Sequence, residues 1–94
     1  MSNVNELKSQ LVVTIDALEL KFNSTSEPVI LDYLKRYKDV LNSIILGASN
    51  CEIYKSSKKL LNCSRGYLET ATDYNQDFLY KMAKTEQIIK NLDN

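Results

Sequence analysis

Apolar residues recur at steps of three and four along most of this chain, and that spacing predicts helices almost throughout. Val4, Leu7, Leu11, Ile15, Leu18 and Phe22 fall on one helical face, after Asn3 and Glu6, which read as a capping pair. A polar loop is expected over 23–26. Ser26-Glu27-Pro28 then reads as a second start: a capping hydroxyl, an acid in the first turn and a proline where its missing N–H costs nothing. The second helix is expected to reach about Leu46 and to be the most buried, with Ile30, Leu34, Tyr37, Leu41, Ile44 and Ile45 inward, widened by Tyr33 and Val40. Gly47 stands where a helix-ending glycine is wanted.

Ser49 and Glu52 make a capping box for a third helix with Ile53, Ser57, Leu60, Leu61, Ser64, Tyr67, Leu68 and Ala71 inward. Ser57, Ser64 and Ala71 recur every seven residues, a spacing that would let a neighbouring helix approach closely. A break is expected over 70–75, where Asp73 can cap and Gln76 follows three residues later. The fourth helix carries Tyr74, Phe78, Met82, Thr85, Ile89 and Leu92 on one face. Four amphipathic helices with short connections predict an all-α fold, a single-domain antiparallel four-helix bundle over 1–94.

Composition narrows the picture. Hydrophobic residues at 44% and charged residues at 26% are the balance of a globular protein rather than a disordered one, and two glycines with one proline are too few for a turn-rich β-fold. Twelve basic residues cancel twelve acidic ones, so the chain lacks the basic footprint of a nucleic-acid binder. No apolar segment approaches the ~20 residues that span a bilayer, and nothing before Leu11 resembles a signal peptide. A cytoplasmic protein with no membrane association is expected. Cys51 and Cys63, twelve residues apart on one continuous helix, would be separated by roughly 18 Å, beyond disulfide reach. Both are expected as free thiols.

Candidate chemistry is mostly missing. The chain has no histidine, no phosphate-binding glycine loop and no CxxC pair, so an enzyme, a cofactor and a metal site are not expected. Carboxylates inside a bundle can hold metals, but these acids lie mainly outside the apolar stripes. Cys63 beside Arg65 is the nearest approach to an activated nucleophile. Lys55, Lys58, Lys59 and Arg65 form a basic stretch, yet RNA binding there would need stacking aromatics on the same side, and only Tyr54 offers itself.

Recognition surfaces remain. Between Leu60 and Leu92 carboxylates alternate with tyrosines, a composition suited to protein contact, and Glu69, Asp73, Tyr74, Asp77 and Tyr80 are the expected partner-binding residues. Tyr74 also fits the core stripe. On the first helix Val13, Asp16 and Leu20, with Ala17 between them, form a second candidate away from the main stripe. The alternative there is a helix packed on two sides within the monomer.

The run Leu61-Asn62-Cys63-Ser64-Arg65-Gly66-Tyr67-Leu68-Glu69 with Asp73-Tyr74-Asn75-Gln76, about a third of the chain, resembles small helical immunity proteins encoded beside bacterial polymorphic toxins of the contact-dependent inhibition type. The acidic motif with paired tyrosines found in colicin immunity proteins is not reproduced. The resemblance implies an inhibitor that binds and neutralises one cognate protein toxin, for example a nuclease domain, by blocking its active site or substrate access. A self-associating adaptor bundle, a homodimer with Val13, Ala17 and Leu20 as its seam, is the alternative. An RNA-binding module ranks third.

Overall fold

The computed structural model describes residues 4–70 and 77–92, and among these residues every regular element is helical. Helix α1 spans Val4–Thr25 and buries Leu7, Leu11, Ile15 and Leu18 as the spacing predicts, with Val4 and Phe22 partly covered. It runs through most of the expected loop. Ser26, at φ +56°, is the residue that stops it, and its N–H bonds to the Phe22 carbonyl at 2.7 Å. Ser26 therefore closes α1 and does not cap α2, contrary to the sequence reading. Glu27 is the capping residue of α2 without a side-chain cap bond, and the Thr25 hydroxyl accepts its N–H at 3.4 Å.

Helix α2 spans Pro28–Ile45 and buries Ile30, Tyr33, Leu34, Tyr37 and Val40. Its last turns depart from expectation. Leu41 and Ile44 are half-buried, while Ile45 is 60% and Leu46 80% exposed. Ile45 lies about 100° round the helix from Ile44, which carries it off the core stripe. The end is closed by Gly47 at φ +84°, with Gly47 N–H on the Ile44 carbonyl and Ala48 N–H on the Ser43 carbonyl, each at 3.1 Å. These are the paired bonds of a Schellman closure.

The predicted third helix is not continuous. Helix α3 (Asn50–Ser57) gives way to a 3₁₀ turn at Lys58–Leu60 and a turn at Leu61 and Asn62, before α4 (Cys63–Thr70) begins. Ser49 caps α3 as expected, accepting the Glu52 N–H at 3.2 Å. The interruption has local causes. Ser57 donates its hydroxyl to the Tyr54 carbonyl at 2.8 Å, and Asn62 adopts φ +70°, a left-handed conformation that asparagine tolerates better than most residues. Ser57 and Ser64 are buried, but on two different helices, so they do not form a small-residue seam with Ala71, which lies outside the described residues.

Helix α5 spans Asp77–Asn91. It buries seven residues against five on α2, which overturns the expectation that the second helix is the most buried. Helix α1 packs between α2 and α5, α3 and the 3₁₀ turn pack on α2, and α4 packs on α5. One hydrophobic cluster draws on all of them, Leu11, Tyr37, Ile53, Leu60, Tyr67 and Met82 included. The expected break over 70–75 and its Asp73 cap fall almost wholly outside the described residues. No described helix is long and apolar enough to cross a membrane.

Candidate protein-contact face on α1 and α5

Two helices that the sequence treats separately share one surface. The α1/α5 seam is pinned by polar groups: Gln10 Nε2 donates to the Lys81 carbonyl at 3.1 Å, and the hydroxyls of Thr14 and Thr85 meet at 3.0 Å. Both threonines are fully buried, with the Thr14 hydroxyl 2.7 Å from the Gln10 carbonyl and the Thr85 hydroxyl 2.8 Å from the Lys81 carbonyl; each carries one proton, so one of them donates to its carbonyl while the other donates across the seam. Such doubly used hydroxyls fix the two helices against each other. Outside this seam lie shallow depressions that run into one another. Gln10, Val13, Tyr80 and Lys84 line the first, while Ala17, Leu20, Lys21 and Phe78 line the second, and Asp77 belongs to both. A third, edged by Asp16, Glu19 and Asn23, shares Leu20 with the second.

Of the residues expected to bind a partner, Asp77 and Tyr80 lie on α5, and Val13, Asp16 and Leu20 on α1, all exposed and all on this face. Leu20 is 73%, Tyr80 61% and Val13 43% exposed. Glu69 is exposed on α4, and Asp73 and Tyr74 lie outside the described residues. Asp77 is not an isolated carboxylate, because Lys81 pairs with it at 2.7 Å. Lys84 is exposed one turn further on, so the α5 side of the face is mixed in charge rather than acidic. Tyr67 belongs to the core: its ring meets Phe78 edge-on at 5.2 Å, and its hydroxyl donates to the Glu27 carboxylate at 3.1 Å. The neighbouring basic stretch folds one aromatic away, since the Lys58 ammonium sits 4.8 Å from the centre of the Tyr54 ring.

Beneath the surface is a polar cluster that hydrophobic spacing alone does not reveal. Glu86 on α5 is buried, against the reading that places the acids outside the stripes, and its carboxylate accepts the N–H groups of Asn62 at 3.1 Å and Ser64 at 3.0 Å. It thus supplies the cap for α4 from another helix. The signal available was its place four residues after Met82, on the edge of the apolar stripe. Nearby, the Tyr37 hydroxyl is buried without a hydrogen-bond partner among the described residues. Burial, then the charge of Glu86, pushes the Tyr37 phenol well above its ordinary range; Thr85 stands close enough to pull slightly the other way without reaching hydrogen-bond geometry.

Cys63 does not have the environment of a nucleophile. It is buried, its thiol donates to the Lys59 carbonyl at 3.6 Å, and Arg36, not Arg65, approaches it at 4.0 Å. Burial pushes the thiol up, more than Arg36 lowers it. Activation would require the opposite balance. Cys51 is exposed, and both cysteines are free, although the helix between them is broken rather than continuous. Among the described residues no three His, Cys, Asp or Glu side chains are grouped to hold a metal ion.

A family model described as YeeD uncharacterised protein matches residues 2–94. The chain belongs to the YeeD family. It is similar to the uncharacterized protein YeeD of Bacillus subtilis (strain 168), with 32% identity over 91 residues, 94% of this chain and 90% of the relative. No solved structure matches the chain. Membership along almost the whole length replaces the resemblance to toxin-immunity proteins, which drew on about a third of the chain and no diagnostic motif.

Proposed function

We propose that the protein is a non-catalytic binding module whose contact face is the outer side of α1 and α5, with Val13, Leu20 and Tyr80 as anchors and Asp16, Asp77, Lys81 and Lys84 as its charged rim. The observation that carries this reading is that Leu20 and Tyr80, two large exposed side chains on neighbouring helices, line two depressions that share Asp77. Aromatic and aliphatic anchors inside a charged rim are the anatomy of a protein-contact surface. The pinned Thr14–Thr85 seam supports it further, because a face already rigid loses little entropy on binding.

Two finer points accompany the proposal. An antiparallel sense for the long helices is supported by Lys21, late in α1, standing 5.7 Å from the ring of Phe78 at the start of α5, while Thr14, nearer the middle of α1, meets Thr85 further along α5. A cytoplasmic location is supported by the exposed free thiol of Cys51, which a reducing compartment preserves. Neutralisation of a toxin would be one instance of such binding.

The test is site-specific photo-crosslinking in the producing cell. A crosslinker at position 20 or 80 is expected to capture protein, and one at Lys35, exposed on α2, is not. Capture at position 35 with none at 20 and 80 would put the contact elsewhere. No protein adduct at any of the three would end the binding reading.

A further inference from the structure

Both halves of the α1/α5 face are mixed in charge, with Asp16, Glu19 and Lys21 on α1 and Asp77, Lys81 and Lys84 on α5, and Lys21 is engaged over the Phe78 ring. On the α1 side Asp16 stands at the edge of the depression that contains Leu20; on the α5 side Lys84 stands beside Val13 and Tyr80. Asp32, Glu19 and Asp77 are each paired within the chain, with Arg36, Lys38 and Lys81. Among the described residues neither Asp16 nor Lys84 forms an ion pair. An apolar strip flanked by one unpaired acid on one helix and one unpaired base on the next is complementary to itself.

We propose that the face binds a second copy of this chain, about a two-fold axis running along the α1/α5 seam, so that α1 of each copy lies over α5 of the other. This rests on the contact-face reading above and names its partner. Rotation about such an axis exchanges the two helices while keeping each residue at its own height. Val13 and Leu20 of one copy then cover Tyr80 of the other, and Asp16 comes beside the partner copy's Lys84. Pairing α1 on α1 would bring the two Asp16 carboxylates together, which like-charge repulsion disfavours. Equal numbers of acids and bases, twelve of each, leave no long-range repulsion between copies. A second exposed apolar site, Ile45 and Leu46 at the end of α2, has no such complementarity to say what covers it.

Light scattering of the full chain after size exclusion tests this. A mass of twice the 10.8 kDa of one chain is expected. Leu20→Lys should raise the dissociation constant roughly tenfold or more with an unchanged helical spectrum, since that side chain is already in water. Asp16→Lys and Lys84→Glu should each weaken the dimer, and the double variant should recover it. A monomer up to about 1 mM overturns the proposal, as does a dimer indifferent to Leu20→Lys, or one that the charge swap fails to rescue. A monomer whose crosslinks at 20 and 80 capture a different protein defeats the dimer while leaving the contact face intact. A monomer without crosslinks defeats both.

Discussion

Glu86 and Ser64 lie on different helices, yet the Glu86 carboxylate accepts the Ser64 N–H at 3.0 Å and so completes the first turn of α4 from the middle of α5. The first N–H groups of a helix have no partner inside it, and Ser64 is buried, so its N–H has little access to water either. One charged side chain therefore joins two helices by satisfying backbone, not by pairing with another charge. It also explains how the chain tolerates the interruption between α3 and α4: the restart has a cap waiting for it.

Glu86→Ala should cost roughly 2 to 3 kcal/mol, because it strips two backbone donors of a charged acceptor at once. Glu86→Gln, which keeps one acceptor oxygen, should cost less. Urea unfolding monitored by circular dichroism measures both. A loss below about 0.5 kcal/mol for the alanine variant would mean that α4 does not depend on this cap.

Tyr37 should be replaceable. Its hydroxyl is buried and unpartnered among the described residues, so Tyr37→Phe is expected to leave stability at neutral pH unchanged or raise it by up to ~1 kcal/mol. Its effect should instead appear in alkali. Cys63, Tyr33 and Tyr37 are all raised by burial above ordinary values of 9.0 for the thiol and 10.0 for the phenols. The folded chain thus holds protons that the unfolded chain releases, so the stability these groups contribute is full below about pH 9 and falls as pH rises beyond it. Urea melts from about pH 8 to about pH 11 should show that decline, and Tyr37→Phe should flatten its upper part. A stability constant over the whole range would contradict the buried, neutral phenol.

The two thiols should react in separate phases. Cys51 is exposed and Cys63 is buried with its thiol pushed up, so a thiol reagent near pH 8 should modify one cysteine quickly and the other only as the protein opens. Denaturant should merge the phases. Two fast equivalents in the native protein would place Cys63 at the surface.

Much of the fold was legible because Leu7, Leu11, Leu18, Ile30, Tyr37, Met82 and Ile89 declare themselves by spacing alone, and all are buried. Where spacing misled, a polar or backbone feature had overruled it. Ser57 and Asn62 interrupt a stripe that looks continuous when only apolar residues are read, and Ser26 closes one helix where its hydroxyl suggested the start of the next. The contact face was visible as two unrelated halves. That Val13 and Leu20 lie beside Asp77 and Tyr80 depends on α1 packing on α5, a relation between residues about sixty positions apart that no local pattern carries. Glu86 was hidden for the same reason, since its partners are backbone groups far along the chain.

Leu11 and Leu41 separate the real core from the predicted one. Leu11 is fully buried on α1, whereas Leu41 is only partly covered near the open end of α2. Leu11→Ala should cost roughly 2 to 5 kcal/mol, and Leu41→Ala clearly less. Equal losses would mean that the last turns of α2 are packed as tightly as its middle.

Ser26 offers a gain in stability. At φ +56° it occupies a conformation that costs an L-residue roughly 1 to 2 kcal/mol, and its bond to the Phe22 carbonyl comes from the backbone, so no side chain is needed there. Glycine removes that cost but gives back roughly 0.5 to 1 kcal/mol through the greater freedom of the unfolded chain. The balance favours Ser26→Gly by roughly 0.5 kcal/mol. Asn62, at φ +70°, should gain little from the same change, because asparagine already tolerates this region. Gly47, at φ +84°, provides the opposite control: nothing stands within 4 Å of an added Cβ, so any loss in Gly47→Ala must come from backbone strain, expected to be about 1 kcal/mol. Urea midpoints of the three variants should therefore order as Ser26→Gly above the parent, Asn62→Gly beside it and Gly47→Ala below. A Ser26→Gly variant less stable than the parent would show that the serine hydroxyl contributes to the junction after all.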